Sequence, residues 1–306
     1  MGEWIHGRDE VLETPRILES APVLERWKDR LLTWTRVFTD HQSRPPGLAV
    51  IRVGSDPASV IYVSRKKKMT ETLGFFFEEH VLSGRITPRE LSQKIASLNE
   101  SHLIDGIILQ LPLPGDHDPS PYLAMIDPVK DVDGLHPLNR GLLYSQNALG
   151  FVPCTPWGCL ELLRHYGYTF EGKSAVVVGR SILVGRPLAA LLIRENATVT
   201  LAHSHTKDLA SVTSQADFLF VAAGQKLLIE PQHVKRGAVV LDIGIHRINT
   251  GLVGDVDYAE LIDSDVLRGG AISPVPGGVG PLTVLGLMHN TLLAAFQRCA
   301  ISFPVS

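Results

Sequence analysis

Residues 59–68 read SVIYVSRKKK, and the chemistry this run offers depends on geometry before charge. The apolar GLAVIRV and the turn-like GSDPAS precede it, so the pattern predicts a helix from Pro57 to Leu73. Consecutive helical residues point about 100° apart. Arg65, Lys66, Lys67 and Lys68 therefore surround the helix instead of forming one stripe. Tyr62 and Lys66 share a face, where an aromatic ring and an ammonium can meet over one cavity. Three readings stand at this point: a patch for nucleic acid or another anion, a solvated helix, and a helix carrying one working lysine.

A second stretch, VVVGRSILVGRPLAALLI, places a strand, a loop with Gly179 and Gly185, and a helix in direct succession. Backbone amides at such a helix start can hold a diphosphate. The spacing departs from G-x-G-x-x-G, because Ser181 stands where the second glycine would be and the last glycine falls one residue late. Alone, the motif also suits a tight turn that binds nothing. The next strand, ATVTLA, ends in His203-Ser204-His205-Thr206 and lacks the acid that holds the ribose hydroxyls in an NAD site. Arg180 and Ser204 instead suit a 2′-phosphate, which favours NADP. The His-x-His pair has no third ligand nearby, so no metal is expected.

Three loops have compositions that suit binding. In DGIILQLPLPGD, Gln110 sits at the carboxyl end of a strand, either facing a ligand or capping the loop. In DPVKDVDGLHPLNRG, Asp131 and Asp133 fit a metal site, an acid/base pair or a solvated turn. In SPVPGGVGPLT, the prolines and glycines from Pro274 to Pro281 make a rigid backbone open to a flat ligand, or an interdomain connector. No G-x-S-x-G elbow, His-Glu-x-x-His or zinc-finger spacing occurs, so a serine hydrolase is unsupported.

The elements that must position these residues alternate. After a helix in the twenties and thirties come GLAVIRV, FFFEEHVL and DGIILQL, with a capping box of Thr87, Pro88 and Glu90 opening the helix before the third run. A Pro-, Gly- and Asp-rich loop with one short helix runs from Leu111 to Gly150, and Thr155 caps the helix that follows. SAVVVG, ATVTLA, DFLFVAAG and AVVLDIG then repeat in Rossmann-like fashion. The expected fold is α/β with two domains and a largely parallel sheet. The divisions are 1–153 for the first domain and 154–280 for the second, with a final helix, from Pro281 to Gln297 within residues 281–306, packing back on the first.

The whole chain agrees with small-molecule chemistry. Its 306 residues are 44% apolar and 20% charged, with a formal net charge of −3, which gives no electrostatic reason to expect nucleic acid or an anionic membrane. Three cysteines without a C-x-x-C suit free thiols in a reducing compartment. The start lacks the apolar core of a secretory signal, and the uncharged stretch 141–160 contains Pro, Gly, Asn and Gln and is no membrane span. A soluble cytoplasmic protein is expected.

Six segments, ASVIYVSRKKK, DGIILQLPLP, KDVDGLHPLN, PCTPWG, VVVGRSILVGRP and PVPGGVGPLT, occur in this order over roughly residues 46 to 292. Together they resemble the bifunctional methylenetetrahydrofolate dehydrogenase/methenyltetrahydrofolate cyclohydrolase family; the first 45 residues match poorly. The resemblance implies a homodimer acting in one-carbon metabolism and purine biosynthesis, with tetrahydrofolate derivatives bound in a cleft between the first domain and an NADP-binding second. It implies that Lys66 is catalytic, that Tyr62 stacks on the folate, that Gln110 tunes the lysine and that Asp133 anchors the pterin. Leu111 and Pro112, and the loop with Pro274, Pro276, Gly277 and Gly278, would line the folate. Gly179, Arg180, Ser181, Val184, Gly185, Pro187, Ser204, Gly244 and Ile245 would hold the cofactor. Arg65, Lys67 and Lys68 would be structural or solvated. The implied reaction is NADP-dependent oxidation of 5,10-methylenetetrahydrofolate to the 5,10-methenyl form, then hydrolysis to 10-formyltetrahydrofolate. A monofunctional NADP-dependent dehydrogenase of similar architecture is the alternative. Three positions depart from the family pattern: His205 where a basic residue often follows the serine, His246 for a common asparagine, and the bulky Trp157.

Overall fold

The computed structural model describes residues 14–115, 118–145, 150–249 and 251–304. A two-residue strand, β1 (Arg16–Ile17), precedes the long helix α1 (Ala21–Gln42). On α1, Val23, Trp27, Leu31, Trp34 and Phe38 recur at helical spacing and are buried, which is why this face packs inward. Strands β2 (Gly47–Val53), β3 (Phe76–Leu82) and β4 (Gly106–Leu109) form a parallel sheet in the order β3-β2-β4. The central strand β2 is buried except at Arg52, and its near-continuous apolar run reflects cover on both faces.

Helix α2 (Pro57–Leu73) joins β2 to β3 over the predicted range. It starts where the Asp56 carboxylate accepts the Ser59 amide at 2.7 Å, and it stops at Gly74, whose φ of 72° is a left-handed conformation. Helix α3 (Pro88–Glu100) carries the predicted capping box: Glu90 N–H donates to Thr87 Oγ1, and Thr87 N–H to Glu90 Oε2. Two short helices, α4 (Ser120–Leu123) and α5 (Pro137–Leu142), occupy the described part of the loop where one was expected.

The second unit begins with α6 (Cys154–His165), whose N-cap is Pro153, with no side-chain cap. Thr155, expected to cap, lies inside the helix and pairs with the Thr283 hydroxyl at 3.0 Å. The chain continues through β5 (Ser174–Val178), α7 (Gly185–Arg194), β6 (Thr198–Ala202), α8 (Leu209–Thr213), β7 (Phe218–Val221) and β8 (Val239–Asp242). An antiparallel pair, β9 (His246–Ile248) and β10 (Gly251–Val253), then precedes α9 (Tyr258–Asp263), β11 (Ala271–Ile272) and α10 (Gly280–Arg298). The parallel sheet has the order β1-β11-β8-β7-β5-β6. Strand order reverses between β5 and β7, and a ligand crevice in such sheets opens beyond the carboxyl ends at that point.

Both ends of the described chain cross between units. Strand β1 pairs with β11, although it lies within the 1–153 segment. Helix α10 packs against α1, α2 and α6 and reaches β4. Its Arg298 donates to the buried Asp105 at 2.6 Å, and Asp105 also receives two bonds from Arg44 and one from the Gly47 amide. This carboxylate pins the ends of α1 and α10 to the first sheet. Near the α1–α6–α10 junction, Trp157 stacks on His289 with centroids 5.3 Å apart, and Trp27 and Trp34 meet the same imidazole edge-on. Among the described residues, no helix is long and apolar enough to cross a membrane.

Candidate active site

Lys66 lies two turns before the end of α2, half-buried, and its Nζ donates to Gln110 Oε1 at 2.9 Å. Gln110 directly follows β4, and its own Nε2 donates to the Leu111 carbonyl at 2.8 Å. That second bond fixes the amide so that oxygen, not nitrogen, faces the lysine. Burial is the main force on the ammonium and holds the Lys66 pKa below its ordinary value, while the charges of Asp133 and Cys154 oppose the shift. A lysine so placed releases its proton more readily than a surface lysine, and can then accept one from water.

These groups line a cavity of about 330 Å³ together with Tyr62, Leu111 and Cys154 from the first half of the chain and the start of α6. Val184, Ile245 and Thr283 close it from the other side. Asp133 is partly exposed at its wall, whereas Asp131 is buried and points away. The Asp131 carboxylate accepts from His136 N–H at 2.7 Å, Leu135 N–H at 3.1 Å and Asn139 Nδ2 at 2.8 Å. Burial nevertheless pushes its pKa up to about 7. Asp131 thus belongs neither to a solvated turn nor to a pair with Asp133 over the cavity. It holds the loop that presents Asp133. Lys130, also buried, helps by donating to the carbonyls of Leu98, Asn99 and Ser101 at the end of α3. Cys154, which the sequence reading did not single out, brings a buried thiol beside Lys66 and Asp133, and burial raises its pKa well above normal.

A neighbouring cavity of about 390 Å³ shares Tyr62 and Ile245 with the first. Pro274, Pro276, Gly277, Gly278 and Gly244 line it. Gly277 has a φ of 110°, and a Cβ on Gly278 would lie 2.6 Å from the Pro274 carbonyl oxygen, so these glycines permit the close fold of the loop. The Ser20 amide and hydroxyl both donate to the Gly277 carbonyl, at 2.8 and 2.7 Å, which ties the loop to the start of α1. Arg65 and Lys68, both exposed as the solvated reading expects, border this cavity with Lys28, and the Arg65 guanidinium lies 5.9 Å from the Tyr62 ring centroid. Lys67 is exposed and borders neither cavity.

The residues expected at the cofactor, in the Gly179–Gly185 loop and after β6, collect beyond β5 and β6. A Cβ on Gly179, whose φ is 119°, would lie 2.0 Å from the Ala222 carbonyl oxygen; one on Gly185 would lie 1.9 Å from that of Gly179. Both positions therefore demand glycine, and the turn is folded tightly against β7. Ser181 Oγ accepts the Val184 amide at 3.1 Å at the entry to α7. Arg180 and Ser204 are exposed, and the Arg180 charge is among the forces that lower the His203 pKa, after desolvation. Pro187 is buried in α7, and Pro112 borders neither cavity; its bond to Leu111 is cis.

The sequence reading also missed a pair of buried carboxylates behind Ile245. Asp242 accepts the amides of Gly244, Asp255 and Val256, and burial raises its pKa to about 7. Asp255 accepts the amides of Ala223 and Gly224 and pairs with His246. A Cβ on Gly244 or Gly254 would overlap one of these carboxylates. The only sequence signal was two glycines flanking two acids, which turns share.

Known proteins extend this geometry. The family model for the tetrahydrofolate dehydrogenase/cyclohydrolase catalytic domain matches residues 18–133, and that for the NAD(P)-binding domain matches residues 153–299. The chain is 45% identical over 280 residues to the bifunctional protein FolD of Halothermothrix orenii, covering 91% of this chain and 97% of the relative. The same-named protein of Synechococcus sp. WH7803 is 49% identical over 283 residues, with 92% and 94% covered. Among solved structures, the bifunctional FolD enzyme of Campylobacter jejuni matches with a TM-score of 0.87 at 41% identity, covering 92% of this chain and 99% of that one. The Trypanosoma brucei enzyme, complexed with NADP cofactor and an inhibitor, matches with a TM-score of 0.86 at 36% identity, covering 94% and 99%. Matched by both domains of one family in order, and along most of its length by its full-length relatives, this chain belongs to the tetrahydrofolate dehydrogenase/cyclohydrolase family.

Proposed function

We propose that the protein catalyses two consecutive folate reactions: NADP-dependent oxidation of 5,10-methylenetetrahydrofolate to 5,10-methenyltetrahydrofolate, and hydrolysis of that cation to 10-formyltetrahydrofolate. The observation that carries this reading is the Lys66–Gln110 hydrogen bond of 2.9 Å in a cavity closed by both halves of the chain. A folate between Tyr62, Leu111 and the Pro274–Gly280 loop would present its one-carbon bridge to the lysine. Asp133, within the electrostatic reach of Lys66, would hold the ring that carries the bridge. With its proton released, the Lys66 amine takes a proton from the attacking water, while Gln110 holds Nζ in place. General base catalysis of this kind is worth about 10²–10⁴-fold.

The β5–β7 crevice suits NADP. A diphosphate would sit on the glycine-closed turn before the start of α7, and Arg180 with Ser204 would take the 2′-phosphate. NADP held there would supply the acceptor for a hydride from the folate bridge. Gly244 and Ile245 border the cavity on that side, and Val184 lies between crevice and cavity. The chain's contribution to this step is alignment and exclusion of water.

The same reading divides the chain into residues 1–153 and 154–280, with residues 281–306 returning to the first unit. It places the enzyme in the cytoplasm, where its product would supply formyl groups for purine biosynthesis; the free thiols of Cys154, Cys159 and Cys299 suit that compartment. It makes the protein a homodimer: β3, seven residues long, pairs on one side with β2 and offers its other edge to a second copy. Incubation with methylenetetrahydrofolate and NADP, followed by product identification, tests the whole reading. NADPH together with 10-formyltetrahydrofolate is the expected result. Accumulation of the methenyl form, with no catalysed hydrolysis, would leave only a dehydrogenase.

A further inference from the structure

The loop after β7 and both sides of the β9–β10 hairpin meet behind the β5–β7 crevice. The loop after β7 contributes the amides of Ala223 and Gly224, which donate to Asp255 Oδ2 at 2.6 and 2.9 Å. The segment after β8 contributes His246, at the start of β9, whose Nε2 lies 2.7 Å from Asp255 Oδ1. Asp255 itself follows β10 and is fully buried. Its amide is held by Asp242, and Gly244 packs so closely on its carboxylate that an added Cβ would lie 2.3 Å from Cγ.

From this arrangement we infer that His246 is a positioning residue for the dinucleotide site. The inference rests on the assignment of NADP to the β5–β7 crevice. An ionised Asp255 has acceptors only, so the contact requires a proton on Nε2, which the imidazolium and one neutral tautomer both carry. With one oxygen on the imidazole and the other on two amides, the carboxylate has a fixed orientation. Ala223 and Gly224 then have fixed amides at the reversal of strand order, directly after the Ala222 carbonyl against which Gly179 is folded. Without the imidazole, Oδ1 of a buried carboxylate loses this partner beside a second carboxylate, and only the two amides on Oδ2 then set its orientation, so the amides lose their fixed counterpart.

Steady-state kinetics and NADP binding of the unmodified protein, His246→Ala and His246→Gln test the role. Gln places an N–H donor at about the reach of Nε2, so it should restore the tie. Loss of one hydrogen bond to a charged group predicts that His246→Ala weakens NADP binding and raises its KM by about tenfold. The dehydrogenase kcat should change much less, hydrolysis of methenyltetrahydrofolate without dinucleotide should be preserved, and His246→Gln should recover most of the affinity. Preserved hydrolysis also reports that the variant is folded. Unchanged NADP affinity in His246→Ala, a parallel loss of both activities, or a Gln variant as impaired as Ala would each overturn the role. Failure of the unmodified protein to bind NADP would instead remove the cofactor assignment, and this inference with it.

Discussion

Lys66 Nζ, on α2, and Gln110 Oε1, directly after β4, are 44 positions apart in the chain and lie 2.9 Å from each other. The pairing joins a proton carrier to a fixed neutral acceptor. An acceptor without charge can orient the amine in either protonation state, and burial then decides how readily the proton leaves.

A pH profile reads that balance. Burial lowers the Lys66 pKa from its ordinary 10.5, so the neutral amine is the majority form above a pH that lies below 10.5. The base form does the work in the proposed hydrolysis. The enzyme-catalysed rate, corrected for the buffer reaction, should therefore rise with pH and level off before 10.5. Asp133→Asn removes a charge that opposes the shift and should move the inflection to lower pH. A rate that falls with increasing pH over this range would show that the ammonium is the active form.

Arg180 offers a separate test, of cofactor choice. In the proposed cofactor site the exposed guanidinium beyond β5 meets what NADP has and NAD lacks, the 2′-phosphate. Arg180→Ala should weaken NADP by roughly tenfold or more and leave NAD nearly unchanged. Equal losses for both dinucleotides in a titration would mean that Arg180 supports the loop instead.

The fold should be most sensitive at Asp105. This buried carboxylate receives Arg44, Arg298 and the Gly47 amide. Removal of one partner from a buried ion pair costs about 3–5 kcal/mol, so Asp105→Ala should lower the urea midpoint markedly. A midpoint within error of the unmodified protein would show that α1 and α10 are held by apolar packing alone.

Much of this structure was legible where the signal was local. The limits of α2 follow from Asp56-Pro57 and Gly74, and the start of α3 from Thr87, Pro88 and Glu90, because caps are satisfied within one turn. Strands β2 to β8 were readable as short apolar runs, whereas β1 and β11 were not. Long-range partners carried no such mark. Strand β1 is two residues long and gains its meaning from β11, about 250 positions later. Asp131 and Asp133 look alike in sequence, yet only the packing of α5 and the following loop sends one inward and the other to the cavity. Cys154 and Thr155 read as the start of a helix. Their places beside Lys66 and Thr283 depend on how α6 and α10 meet. Arg65 and Lys68 are exposed, as helical geometry suggests, but that geometry says nothing of the Pro274–Gly280 loop that shares a cavity with them.

The central claim is that Lys66 performs the proton transfer of hydrolysis, and the most direct measurement is the turnover of methenyltetrahydrofolate by Lys66→Ala, with NADP affinity and thermal unfolding recorded on the same sample. Loss of catalysed hydrolysis by about 10²-fold or more, with cofactor binding and fold intact, is the predicted result. Turnover equal to that of the unmodified protein would contradict the claim and leave the Lys66–Gln110 pair a structural contact.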